Sequence, residues 1–184
     1  LSGTVFVDPN GNGATYGFEP DTDTGLGGVT VTLTQSGNPV FTPVTAVTAT
    51  AAILAGQYYN PATGGSSPTP GAGLCPVPAA GLGVGQYLFC DLLSGSGYQV
   101  VETQPAGYST TGNKEGNAGG TANAGTDTTS GITLASGQAA TGYDFGESVL
   151  TAVSGRVYVE TGGNTSDDGT GTDPGIAGVT VTLT

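Results

Sequence analysis

The chain has 184 residues, among them 35 glycines and 11 prolines, and its formal net charge of −12 includes only two basic side chains, Lys114 and Arg156. This balance excludes nucleic acid, which needs a basic footprint, and repels an anionic membrane surface, so cations are the natural partners. The lack of histidine removes Ser–His and Cys–His nucleophile activation, and no apolar run approaches the roughly 18 residues of a membrane span.

The first strand is expected at 3–7 (GTVFV). The loop that follows reads Asp8-Pro9-Asn10-Gly11-Asn12-Gly13, then five residues, then Glu19. That is the D-x-N-x-N-G-x5-E order of an EF-hand-type calcium loop. Alternate residues of such a loop turn oxygens inward, Gly13 permits the sharp turn, Ala14 offers a backbone carbonyl and Glu19 closes the shell. Asp21 and Asp23 follow and either complete this site or hold a second ion. The alternative is an Asn/Gly-rich turn whose acids only face solvent.

In VTVTLT at 29–34, Val29, Val31 and Leu33 face one way and three threonines the other, which marks a half-buried strand. Further strands are expected around 44–54 and at 86–90, 98–103, 131–135 and 142–146, with Gly, Asn, Pro or Ser at nearly every junction. Seven short strands in a domain of this size predict an all-β sandwich. The segments 56–84 and 112–130 lack periodicity and are expected as long surface excursions rich in Gly and in Pro or Asn. Cys75 lies in the first of these and Cys90 ends the QYLFC strand, so a Cys75–Cys90 disulfide would tether that insertion; an even cysteine count suits an oxidising space.

The chain then starts over. SGTVFVDPNGNG at Ser2 returns as SGRVYVETGGN at Ser154, and GGVTVTLT at 27–34 returns as AGVTVTLT at 177–184. A period of about 150 residues exceeds solenoid units and is a domain period. The expected division is a complete sandwich over 1–153 and the first two strands of a second over 154–184, joined by a short connection with no Gly/Ser run. The second copy keeps carboxylates in altered order: Glu160, Asn164, Asp167, Asp168 and Asp173 are its candidate ligands. With no leader or lipidation motif, the sequence is expected to be a mature or excised segment.

SGTVFVDPNGNG with Glu19, GVTVTLT, GQYLFCDL, GYQVVETQPAGYSTT and SGITLASGQAATGYDFGE occur in this order over 2–147. Together they resemble the SdrD B-like domains, the B-repeats of serine-aspartate-repeat adhesins on bacterial surfaces. The resemblance implies a calcium-dependent, prealbumin- or Ig-like sandwich that serves as a rigid spacer, with Asp8, Asn10, Asn12 and Glu19 as calcium ligands. Two features depart from that pattern: the insertion 56–84, and a first strand without the lysine that forms an internal isopeptide in related collagen-adhesin domains.

The resulting expectation is a non-enzymatic structural module of a repetitive extracellular surface protein. Copies of itself or neighbouring repeats would be its partners in a rod, stalk or filament stiffened by calcium. The other reading is a ligand-binding adhesin module that grasps a host or matrix ligand with loops 56–84 and 112–130.

Overall fold

The structure, a computed structural model, describes residues 1–161, 163 and 173–184. It divides into two units, Leu1–Leu150 and Thr151–Thr184. The first begins with β1 (Ser2–Val7), a single helical turn α1 (Gly13–Tyr16), β2 (Thr24–Gly25), β3 (Thr30–Gln35) and β4 (Val44–Val47). Three short strands follow, β5 (Tyr58–Asn60), β6 (Gly65–Ser67) and β7 (Cys75–Pro76). The unit closes with β8 (Gln86–Leu88), β9 (Gly95–Glu102), β10 (Tyr108–Lys114), β11 (Thr121–Asn123), β12 (Thr128–Leu134) and β13 (Asp144–Val149).

The protein is nearly all β, and two five-stranded sheets share one core. One sheet runs β10-β13-β1-β2, with β8 also paired to β1; the other runs β11-β12-β9-β3-β4 and is antiparallel throughout. In the first sheet β1 and β13 are parallel, with Val5 opposite Phe145 and Val7 opposite Glu147. Val5, Tyr87 and Phe145 from the first sheet meet Val31, Leu33, Tyr98, Val100 and Ile132 from the second, all 0–1 % exposed. The buried tyrosines place their hydroxyls on backbone carbonyls: Tyr87 donates to Tyr143 at 2.7 Å and Tyr98 to Leu93 at 2.8 Å. Burying a phenol hydroxyl without such a partner would offset part of what its ring gains.

All seven expected strand regions carry strands, though the one foreseen over 44–54 stops at Val47. Six further strands exceed the expected count, and three of them correct the reading of 56–84 as a surface excursion. There β6-β5-β7 form a third sheet over a second small core of Ala49, Ile53, Tyr59, Cys75, Val77 and Leu82. Strands of two or three residues are too short to show alternation, which is why composition read as loop. Cys75 and Cys90 form a disulfide with Cα atoms 5.6 Å apart, and both Cys90 and Leu88 pack against the small core. The segment 112–130 likewise holds the end of β10, all of β11 and the start of β12.

In the second unit, Tyr158 and Gly175 form an isolated bridge. Residues 179–184, the copy of VTVTLT, form no strand among the described residues. A strand exists only through pairing: β3 has β4 on one side and β9 on the other.

Candidate metal centre

β1 delivers Asp8 to the rim of the first sheet, where its N–H donates to the Glu147 carbonyl at 2.7 Å. The carboxylate is 1 % exposed and accepts four hydrogen bonds: Gly11 N (2.8 Å) and Asn12 N (3.3 Å) on Oδ1, Gly13 N (2.9 Å) and Thr111 Oγ1 (2.7 Å) on Oδ2. Burial pushes its pKa up, but the bonds from Thr111, Gly13, Gly11 and Asn12 outweigh burial and hold it below the usual value. The approach of Thr111 depends on Gly112, where a Cβ would lie 2.5 Å from the Ala14 Cβ.

The other loop residues are linked to Asp8 through hydrogen bonds. Asn10 Oδ1 accepts from Asn12 N at 3.1 Å, and Asn12 Nδ2 donates to Glu19 Oε2 at 2.8 Å. Glu19 N in turn donates to Asp23 Oδ2 at 2.8 Å. Asp21 and Ala14 are exposed. The loop oxygens thus serve mostly the loop's own N–H groups, and an ion here would compete with them; Asn12 Oδ1 is a buried oxygen of this loop without a hydrogen-bond partner.

In the second unit Asp173 is buried and accepts from Thr161 N and Thr161 Oγ1, while Glu160 Oε1 accepts from Gly163 N at 2.6 Å. Asn164, Asp167 and Asp168 lie outside the described residues.

A different constellation lies between the two sheets. Glu102 ends β9, Asp127 immediately precedes β12 and Glu147 is on β13; each offers a carboxylate oxygen, and these oxygens lie within 4.8 Å of one another. Glu102 is 3 % exposed and Glu147 0 %. Both oxygens of Glu102 and Oε1 of Glu147 are buried without a hydrogen-bond partner. Gln104 Nε2 donates to Glu147 Oε2, and Thr110 Oγ1 lies 2.7 Å from Asp127 Oδ1. Thr110 and Thr111, adjacent on β10 and so directed to opposite faces, serve Asp127 and Asp8 respectively, at the point where the β10–β13 register shifts between Thr110 and Gly112.

Burial pushes the Glu102 carboxyl up to about 8, with the Glu147 and Asp127 charges adding to the effect. Burial likewise raises Glu147 to about 7; the Gln104 bond opposes this and Asp127 reinforces it. Buried like charges can be relieved by protons or by a cation. The triad can hold a metal ion, and its donors are all hard oxygens, which suit calcium, magnesium or manganese.

Reading by sequence motif missed this triad because its members are dispersed along the chain. A signal was nonetheless present. Tyr98 and Val100 alternate toward the core and the next inward position is Glu102; Tyr143 and Phe145 do the same before Glu147. An acid where periodicity demands a hydrophobe marks a site.

Comparison with family models, with curated proteins and with solved structures finds no match. Among the described residues no helix is long and apolar enough to cross a membrane. The disulfide is consistent with an extracellular protein.

Proposed function

We propose that the chain is a structural module of a repetitive extracellular surface protein, a calcium-stiffened spacer that stacks with copies of itself into a rod, stalk or filament. One observation carries this reading. The segment repeated at 177–184 corresponds to 27–34, which supplies Val29, Val31 and Leu33 to the main core. The chain therefore repeats the sequence of a core-forming strand, and repetition of such sequences at a domain period builds serial domains. The SdrD B-like resemblance supports the same reading, as do the acidic surface and the bridged second core. On this reading the module has a prealbumin- or Ig-like topology, performs no catalysis and acts through its stiffness.

The test is imaging of the native protein on its source cells. Negative-stain micrographs should show thin appendages with a regular axial repeat, labelled by antibody to this module. Antibody label confined to the cell interior, or to single compact particles, would overturn the proposal.

A further inference from the structure

We propose that Glu102, Asp127 and Glu147 form a calcium-class cation site that clamps the two sheets together and is separate from the loop of Asp8 and Glu19. The inference is independent of the spacer reading: the site stands on geometry and the ion class on the all-carboxylate donor set.

Three observations converge. The carboxylates come from both sheets: Glu102 ends β9 and Asp127 lies in the turn leading into its neighbour β12, whereas Glu147 is on β13 of the other sheet. An ion bound to all three would bridge the sheets across the core. Glu102 is almost wholly buried, yet both its oxygens lack partners, as does Oε1 of the fully buried Glu147. Buried polar atoms are nearly always satisfied, so three unsatisfied oxygens in one acidic cluster point to a ligand of opposite charge. The remaining donors orient rather than fill the site. Gln104 holds one oxygen of Glu147 and Thr110 one oxygen of Asp127, so each carboxylate keeps a second oxygen for the ion.

The donor chemistry selects the ion class. Calcium takes six to eight oxygens at about 2.3–2.6 Å in irregular geometry, and an ion with that radius spans oxygens up to roughly 5 Å apart. Outside the Gln104 and Thr110 bonds, the carboxylates leave four such oxygens, two from Glu102 and one each from Asp127 and Glu147, and calcium's irregular shell can be completed by water. Magnesium prefers a strict octahedron and keeps several waters, which a site between packed sheets accommodates poorly. Zinc and copper favour imidazole and thiolate ligands, and this cluster contains no histidine or cysteine. The Asp8 loop differs in kind, because its central carboxylate already accepts four donors.

Calorimetric titration of the chelator-stripped, full 184-residue chain with calcium chloride tests the site. Glu102→Gln and Glu147→Gln should each weaken calcium binding at least about tenfold, whereas Asp8→Asn should leave this binding event within about threefold of the parent. A parent chain that takes up no calcium, or glutamine variants that bind as the parent does, would overturn the inference. Manganese broadening of amide NMR signals provides a check on the unmutated protein, should a variant fail to fold. Broadening should centre on residues 102, 127 and 147; broadening confined to 8–23 would refute the site. A negative result in either experiment leaves the imaging test of the spacer untouched.

Discussion

Glu102 and Asp127 are joined through the main chain, the Glu102 N–H donating to the Asp127 carbonyl at 2.9 Å, while their carboxylates enter the same buried cluster. The backbone bond fixes two like charges side by side at one end of the core.

The first prediction follows from that juxtaposition. The folded-state values of Glu102 and Glu147, about 8 and about 7, lie above their ordinary value of 4.5. Between those limits the folded protein holds more protons than the unfolded chain, so its stability falls as pH rises. In chelator, the contribution of these groups should be fully present below about pH 4.5 and lost as pH climbs through about 7–8. Thermal melts across pH 4–9 should show this fall for the parent chain and a flatter profile for Glu102→Gln/Glu147→Gln. Calcium should likewise flatten the parent profile, because the ion replaces the protons.

Asp8 organises its loop whether or not calcium is present. Asp8→Ala strips acceptors from three backbone N–H groups and from Thr111, and should cost about 2–4 kcal/mol. Urea denaturation in chelator should show a lower midpoint with an unchanged slope. A loss of less than about 0.5 kcal/mol would show that these bonds contribute little.

Leu33 and Leu183 are the same residue of the same repeated motif in different surroundings. Leu33 is fully buried and Leu183 is 84 % exposed. Leu33→Ala should cost about 2–5 kcal/mol, and Leu183→Ala should stay within about 0.5 kcal/mol. Equal costs, read from denaturation midpoints, would mean that residues 179–184 are covered in solution.

The Cys75–Cys90 bridge closes a loop with a sequence separation of 15, and in the chain-entropy model it contributes roughly 3 kcal/mol. Before reduction, intact mass should show no thiol blocked. After reduction, hydrogen exchange should accelerate first over β5, β6 and β7 and leave β9 and β12 protected. Simultaneous loss of protection throughout would make the small core and the main core one cooperative unit.

These outcomes mirror how far the fold can be read from the chain. Val29, Val31 and Leu33 announce β3 because a half-buried strand writes its two faces in alternation. β10 gives no such notice: its interior positions are Gly112 and Asn113, chosen for close approach and hydrogen bonding rather than for apolar area. The Asp8 loop was legible because its residues are contiguous. The triad was not, because three carboxylates from separate segments become neighbours only once β9, β12 and β13 are placed.

The parallel pairing of β1 with β13 has a mechanical consequence. Val5 faces Phe145 and Val7 faces Glu147, so the chain enters this ladder at its lower end through β1 and leaves at its upper end through β13. Tension applied between the two termini of this unit pulls the strands lengthwise past each other. The ladder's hydrogen bonds then resist together in shear instead of opening one by one like a zipper, and forced unfolding depends on that barrier, not on equilibrium stability. A unit wired in this way is suited to being pulled.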